Sequence, residues 1–409
     1  MNIKKIGSIN SIAFIVFCYV IVFLHIYRYY LTTGVIVSES NIPNLVMYFF
    51  TFILLGHFTL NLKYSLNLIT SLFLFLIVYI LFYNVYHYIV YEVINSKMSY
   101  EYFKYNLLMI YGYTMYFLIG FYYEGYERYA KTVYILYAIL TLNVFLNIDP
   151  QTLLINFQNV EGDAYGLYQF LGDTYAIFAF ATVTLVKSRI MRIFILIVSF
   201  LALFALMSRT SLYMFVLAMI IYMFIKERAF TLIYIGLIVL LTSLFLTYGG
   251  EYIDKVLDSR MLKTFQPDAN RGSVDERIVQ AKVGLKAIEE HWFEGDYGGD
   301  IIHYGEFGNY IHSYLGLLRQ YGIIPFLVFI SLMVLLLRQV LYWIRSNENY
   351  SHGYEFFVVL IIYFSFVISV SRPIGNTYIF LVIGMLAGIK KDPKYIINKE
   401  KNENIIFMR

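Results

Sequence analysis

Hydrophobic residues dominate the chain in long runs that recur almost from its first residue to its last. A run of about 20 apolar residues can cross a bilayer as a helix, because a helix satisfies its backbone polar groups internally. Twelve such runs lie, with bounds good to about ±3 residues, near 8–27, 42–62, 66–90, 105–123, 132–148, 166–186, 193–207, 210–225, 229–248, 311–337, 355–371 and 373–389. The pattern predicts an all-α polytopic membrane protein with about twelve transmembrane helices.

One long hydrophilic segment interrupts this pattern between the ninth and tenth runs. It predicts four parts: the first nine transmembrane helices over 1–248, an extracytoplasmic, partly helical catalytic loop over 249–310, the last three helices over 311–389, and a tail over 390–409. A transporter more often shows broken helices or symmetry between its halves, and we find no convincing repeat. The loop favours a catalytic or binding lid.

Composition supports this class and excludes several others. Hydrophobic residues make up 60% of the chain and charged residues 14%, against about 25% charged residues in soluble domains. The single cysteine, Cys18, allows neither an intramolecular disulfide nor a cysteine metal cluster. The net charge of +4 is spread over many loops, so no basic cluster suggests nucleic acid as a partner.

Basic residues predict the orientation of the chain in the membrane, since Lys and Arg concentrate on the cytoplasmic side. With a cytoplasmic N-terminus, the inside segments hold twelve basic residues and the tail six more, whereas the short outside segments hold five. An even number of spans returns the C-terminus to the cytoplasm. Both termini are therefore predicted inside and the long loop outside.

A helix is predicted within the loop. Ser273 and Glu276 fit a capping box at its start. An apolar stripe, predicted to be buried, follows at Ile278, Ala281, Leu285, Ile288 and Trp292. Arg277 lies about 50° from the middle of the stripe, whereas Lys282 and Lys286 face water. Arg277 is thus a candidate functional residue. The alternative interpretation is that it is a structural arginine that snorkels toward the membrane surface.

Arg209 is a second candidate, because it sits between two apolar runs with hydroxyl neighbours in Ser208-Arg209-Thr210-Ser211. An arginine there can meet a lipid headgroup or simply anchor a helix end at the interface. The long loop holds twelve acidic and seven basic side chains, a net of −5. Binding of an anion must therefore depend on individually placed arginines, whose planar donor fork suits phosphate.

His312 begins the tenth run, and Arg319 follows seven residues later on the same helix face. Ionisable residues inside a span are costly and face an interior cavity, so Arg319 marks the inward face and makes His312 a candidate. The alternative is a structural or solvated histidine. Asp173, in the sixth run, is a candidate buried partner for one of the arginines.

Two acidic pairs could in principle hold a divalent cation: Glu161 with Asp163, and Glu294 with Asp296. Such pairs on glycine turns arise readily by chance, so no metal site is predicted. The stretch Gly295–Gly299 lacks the Gly-Lys-Ser/Thr of a phosphate loop and is interpreted as a turn.

Three elements resemble, in order and spacing, the motifs of the Wzy-type O-antigen polymerase and O-antigen ligase superfamily. They are the Ser-Arg motif at Ser208–Ser211, the Arg…Trp…Gly-rich pattern from Arg277 to Gly299, and the stretch His312-Ser313-Tyr314-Leu315 followed by Gly322, which is similar to the family's His-Asn-x-Tyr-Leu…Gly pattern. The resemblance covers about residues 195–340. Ser313 departs from it, because the family commonly has asparagine there.

This resemblance implies metal-independent and cofactor-free transfer of a glycan from an undecaprenyl-pyrophosphate donor to a sugar hydroxyl. The reaction would take place at the periplasmic face of the bacterial inner membrane. The matching residues Arg209 and Arg277 would hold the pyrophosphate, with Arg319 as a further candidate ligand, and His312 would assist the acceptor. The implied partners are the lipid-linked donor and acceptor and the lipid bilayer, with a chain-length regulator protein as a further candidate.

Polymerase activity is the preferred interpretation, because the chain is rich in Ile, Asn, Lys, Tyr and Phe, which resembles the polymerases of O-antigen gene clusters. The first alternative is a ligase that transfers the glycan to lipid A core. The second is a transporter of polysaccharide or lipid-linked sugar, which would carry charged residues through many of its spans.

Overall fold

The computed structural model is helical in almost all the residues that it describes, and these contain no strand. They are residues 3–32, 35–36, 41–90, 96–123, 126–149, 154–155, 167–206, 208–227, 231–237, 239–240, 243, 271–299, 301, 311, 313–345, 351–370 and 377–391. Half of the ninth predicted run and much of the long loop lie outside this set.

The helices follow the predicted apolar runs closely. They are α1 (Ile3–Cys18), α2 (Leu24–Thr32), α3 (Ile42–Leu60), α4 (Leu62–Ser65), α5 (Leu68–Val90), α6 (Ser96–Phe121), α7 (Ala130–Leu146), α8 (Leu167–Leu185), α9 (Arg189–Ala205), α10 (Arg209–Lys226), α11 (Arg271–His291), α12 (Leu315–Tyr321), α13 (Ile323–Arg345), α14 (His352–Val370) and α15 (Tyr378–Lys391). A π-helical turn over Tyr19–Phe23 joins α1 to α2, and a short 3₁₀ helix over Tyr126–Tyr129 precedes α7.

Seven helical segments among the described residues are long and apolar enough to cross a membrane. They are Ile9–Leu31, Ile42–Leu60, Leu68–Val90, Glu127–Leu146, Arg209–Lys226, Ile323–Arg345 and His352–Val370. The segment Tyr378–Ile389 is a shorter apolar helix. The all-α, multi-spanning class is therefore confirmed, whereas the count of about twelve spans stays a prediction.

The tenth predicted run, 311–337, is not one helix. The chain breaks at Gly322, where α12 ends and α13 begins. Gly322 has φ 77°, and a Cβ there would collide with the carbonyl of Phe293, so only glycine fits this close approach. The expectation of a single helix was wrong because an isolated glycine barely changes an apolar pattern.

Helices α8 and α14 lie largely inside the bundle. Every residue of α8 from Leu171 onward is buried, and so is 78% of the most apolar part of α14. By contrast, α3, α5 and α13 expose much of their apolar surface, as expected of helices that face lipid. Functional groups on α8 and α14 are therefore enclosed by protein.

Helices α6 and α15 pack at backbone contact. Gly384 and Gly388 of α15 lie so close to α6 that a Cβ at either position would meet the carbonyl oxygen of Phe117 or Phe121. Small residues four apart allow such an approach in membrane helices. This contact fixes α15 against a helix of the N-terminal half of the chain.

Polar contacts lie at both ends of the bundle. We call the end at which α8 and α10 begin the upper end, and the other the lower end. At the lower end Lys226 of α10 pairs with Glu355 of α14, and Arg192 of α9 pairs with Glu227 at 2.6 Å. The candidate site residues lie toward the upper end.

Candidate functional site

Arg209 is the first residue of α10 and is partly exposed at the upper end. The preceding residue, Ser208, occupies the N-cap position, but its side chain does not cap the helix. Its hydroxyl instead lies 2.6 Å from the hydroxyl of Ser211. The Ser-Arg motif is thus held by side-chain contacts beneath it.

Those contacts converge on Asp173 of α8, which is 1% exposed. The Ser211 hydroxyl donates to Asp173 Oδ1 at 2.6 Å, and the Tyr363 hydroxyl of α14 donates to the same oxygen at 2.7 Å. Because Ser211 uses its proton on Asp173, Ser208 donates to Ser211. Hydrogen bonds to a buried carboxylate are strong. The two hydroxyl groups that donate to Asp173 therefore hold α10 and α14 against α8.

Close helix packing makes this network possible. A Cβ at Gly172 would lie 2.5 Å from the Cβ of Ser208, so α8 approaches the start of α10 more closely than any larger residue would allow. The sequence nominated Asp173 as a partner for an arginine. The partners seen here are hydroxyls, and Tyr363 carries no sequence signal that could have identified it.

A second cluster surrounds Arg319, which is 2% exposed. Its Nη2 lies 3.3 Å from Asp296 Oδ2, while its Nε and Nη1 make no hydrogen bond among the described residues. The backbone N–H of Asp296 donates to the Arg319 carbonyl at 2.6 Å. The turn that follows α11 is therefore tied to α12 by both main chain and side chain.

The glycines of this turn are required by close contacts. Gly295 has φ 85°, and its Cβ would lie 2.7 Å from the Gln320 carbonyl oxygen. A Cβ at Gly299 would occupy the space of the Asp296 carboxylate. The interpretation of Gly295–Gly299 as a turn is confirmed by this geometry.

The two acidic residues Glu294 and Asp296 contact different partners. His291 Nδ1 donates to Glu294 Oε1 at 3.0 Å, and this hydrogen bond lowers the pKa of the Glu294 carboxyl. Asp296 turns the other way, to Arg319. The described residues hold no group of three or more metal-ligating side chains, and the pair Glu161 and Asp163 lies outside them.

An aromatic cluster anchors the same turn to α5 and α6. Tyr297 packs against Tyr83, Tyr102 and His87, with ring centroids 4.8–5.8 Å apart. The Tyr83 hydroxyl donates to the Glu294 carbonyl at 2.7 Å. Sequence reasoning missed this cluster, because the many tyrosines of the chain mask the few that meet.

Helix α11 presents a different face from the one predicted. Gly284 and Ala287 are buried, and a Cβ at Gly284 would lie 2.7 Å from the Ile311 side chain. Ile278, Leu285 and Trp292, by contrast, are 47–54% exposed. The predicted stripe was wrong because small residues, with little hydrophobic signal, make the close contact.

The start of α11 also corrects the predicted capping box. The helix begins at Arg271, so Ser273 lies inside it and Arg277 falls in the second turn rather than the first. The Arg277 side chain lies outside the described set, but its position shares a helix face with Gly284, seven residues on. Lys282 and Lys286 are exposed, as predicted.

His312 lies outside the described residues, and its two neighbours are buried. Ile311 packs against α11 at Gly284, and the Ser313 hydroxyl accepts a hydrogen bond from the backbone N–H of Leu315 at 3.2 Å. On one side of position 312, Ile311 thus contacts α11. On the other side, Ser313 contacts the start of α12. The contacts around Arg209 form a separate cluster with α8 and α14.

Residues 194–324 match the family model described as O-antigen ligase. No curated protein matches the chain. The matched range contains Arg209, Arg277, His312 and Arg319, and it confirms the resemblance to the O-antigen polymerase and ligase superfamily. The seven long apolar segments among the described residues indicate a multi-pass membrane protein.

Proposed function

We propose that this chain, whose residues 194–324 match the O-antigen ligase family model, is an O-antigen polymerase of the bacterial inner membrane. It transfers a glycan from undecaprenyl pyrophosphate to a sugar hydroxyl of another lipid-linked repeat unit. The observation that carries the proposal is the family match, because that range contains every residue nominated for the site.

The chemistry needs positive charge at the leaving group. The bond between the anomeric carbon and the pyrophosphate oxygen breaks, and the oxygen keeps the electron pair as undecaprenyl pyrophosphate departs. Arg209 and Arg277 neutralise this developing charge, since guanidinium groups form paired, charge-assisted hydrogen bonds with phosphate oxygens. In this mechanism a divalent cation is not needed, and no cofactor takes part.

His312 is proposed to assist the acceptor. Its imidazole takes the proton of the sugar hydroxyl as the oxygen forms the new glycosidic bond, because an imidazole pKa near neutral suits a general base. The contact between Gly284 and Ile311 supports this role, since it brings α11, which carries Arg277, against the residue next to His312.

Arg319 is the third pyrophosphate ligand in this proposal, and its electrostatic setting differs from that proposed for Arg209 and Arg277. Asp296 already neutralises part of its charge, so its contribution to the potential at the site is smaller. Its Nε and Nη1 make no hydrogen bond among the described residues, and these are the donors left for a phosphate oxygen.

The side of the membrane follows from the distribution of basic residues. We propose that both termini are cytoplasmic and that the upper end is periplasmic, because the segments at the lower end carry most of the Lys and Arg. The proposed partners are the lipid-linked donor and acceptor, together with a chain-length regulator protein.

The glycan phenotype of a deletion strain separates polymerase from ligase, the activity for which the matched family is named. Loss of a polymerase leaves single repeat units attached to lipid A core. Loss of a ligase leaves bare core and accumulated lipid-linked polymer. We expect the first result, and the second would assign the chain as a ligase.

A further inference from the structure

The end of the first membrane-spanning segment brings another arginine to the upper end of the bundle. Arg28 of α2 is exposed, and its guanidinium carbon lies 4.6 Å from the centre of the Phe170 ring at the start of α8. Arg28 lies far outside residues 194–324, so neither the sequence motifs nor the family match assigns it a role.

Two contacts fix α2 against α8. His25 Nδ1 lies 2.6 Å from the Thr174 hydroxyl, and one turn along α2 Arg28 stacks on Phe170, one turn back along α8. Pairs at 25 with 174 and 28 with 170 define an antiparallel packing of the two helices. Arg28 is therefore held in place by its helix and by the ring beneath it.

The same segment of α8 connects Arg28 to the Ser-Arg motif. Asp173 lies three residues after Phe170, close to one helical turn, and it accepts the hydrogen bond from Ser211 at 2.6 Å. Arg28 thus packs on α8 at Phe170, and the start of α10, which carries Arg209, packs on the same stretch of α8 at Gly172 and Asp173.

An arginine in this setting is suited to a phosphate. One face of its guanidinium is covered by an aromatic ring, which attracts the cation, while the side chain as a whole stays exposed. Its planar donor fork matches two phosphate oxygens at once. At the membrane surface, the anion within reach is the phosphate of a lipid.

We propose that Arg28 binds the pyrophosphate of the acceptor lipid, while Arg209 and Arg277 hold that of the donor. This inference rests on the proposed polymerase function, in which both substrates carry a polyprenyl pyrophosphate. Two such anions repel each other in one site unless separate cations hold them.

The test uses purified full-length protein in liposomes with a saturating, preformed lipid-linked polymer as donor. The acceptor is a lipid-linked repeat unit or the same oligosaccharide as a soluble glycoside without pyrophosphate. For Arg28→Ala we expect the KM for the lipid-linked acceptor to rise about tenfold, the equivalent of one charge-assisted contact. The kcat, the donor KM and the reaction with the soluble acceptor should be unchanged.

Two further variants sharpen this test. Arg28→Lys keeps the charge but loses the planar fork and the stacking, so its acceptor KM should lie between those of wild type and Arg28→Ala. Arg128→Ala is the matched control, since Arg128 lies 4.7 Å from the centre of the Tyr129 ring, beside the segment that contacts the lower end of α14. It should behave as wild type.

Each other outcome has a defined meaning. An unchanged acceptor KM in Arg28→Ala overturns the inference and leaves the polymerase proposal intact. An equal loss with both acceptors also overturns it, since Arg28 would then serve the bilayer phospholipids or the fold. Wild-type protein that forms no polymer from these substrates contradicts the proposed function, and with it the acceptor assignment.

Discussion

Tyr363 donates a hydrogen bond to Asp173 at 2.7 Å, although the two residues lie 190 positions apart in the chain. The bond joins two helices that are largely enclosed by the bundle, and it lies beneath the Ser-Arg motif, because Asp173 also accepts a hydrogen bond from the Ser211 hydroxyl. The position of Arg209 therefore depends on a residue near the C-terminal end of the chain.

Removal of this hydroxyl should weaken the protein at the site. Tyr363→Phe leaves one acceptor position of a buried carboxylate unfilled, which costs about 1.5–3 kcal/mol. We expect a lower melting temperature in detergent and a weaker polymer ladder in a complemented deletion strain. Tyr64→Phe is the control, because Tyr64 is 69% exposed. An equal loss of melting temperature and ladder in Tyr64→Phe would contradict the role given to Tyr363.

The approach of α8 to α10 can be tested with one methyl group. In Gly172→Ala the new Cβ would lie 2.5 Å from Ser208 Cβ, so the helices must separate at a cost of about 1–3 kcal/mol. The ladder should weaken at equal membrane abundance. Gly56→Ala, whose Cβ would meet nothing within 4 Å, should be neutral or slightly stabilising. A normal ladder from Gly172→Ala would show that this spacing does not matter.

The buried ion pair predicts a stability pattern. Asp296→Ala leaves the Arg319 guanidinium without its counter-ion, at a cost of about 3 kcal/mol, whereas Lys286→Ala removes only an exposed pair with Glu290 at 3.7 Å and should cost less than about 1 kcal/mol. Thermal unfolding in detergent measures both. Similar melting temperatures for the two variants would contradict the burial of the pair.

The double variant Asp296→Ala with Arg319→Met then separates stability from function. It removes both charges together, so it should recover much of the stability lost in Asp296→Ala. If Arg319 also binds pyrophosphate, this double variant should form a weaker polymer ladder than wild type, although its stability is largely restored. A full ladder from this double variant would remove Arg319 from the site.

Neutralisation of the leaving group by arginine predicts that polymer formation by purified enzyme persists in excess chelator. Asp296, one of the acidic residues considered for a cation, is instead paired with Arg319. Activity that disappears with chelator and returns with magnesium or manganese would favour an acidic site. Asp163→Ala would then become the informative variant.

The sequence predicted the helices better than their contacts, for physical reasons. The apolar run at 66–90 corresponds to α5 at Leu68–Val90, because lipid requires a continuous apolar surface over each span. Which helices touch depends on small residues such as Gly172 and Gly284, which leave almost no hydrophobic signal. For the same reason the buried face of α11 was misassigned, while the exposure of Lys282 and Lys286 was predicted.

The site itself was predicted only as separate motifs. Arg209 and Arg277 could be nominated from their neighbours and spacing, and the family match includes both. Arg28 and Tyr363 could not be nominated, because each is one more arginine or tyrosine near an apolar run. The contact of Tyr363 with Asp173 and that of Arg28 with Phe170 become visible only when α2, α8 and α14 meet.

The central claim is that Arg277 holds the leaving pyrophosphate, and one comparison tests it directly. Polymer ladders are measured in a deletion strain complemented with Arg277→Ala or with Lys282→Ala, an exposed cation on the same helix. Loss of a contact made mainly in the transition state should cost Arg277→Ala on the order of a hundredfold in rate. Lys282→Ala should match wild type at equal membrane abundance. A normal ladder from Arg277→Ala beside a failed one from Lys282→Ala would contradict the account.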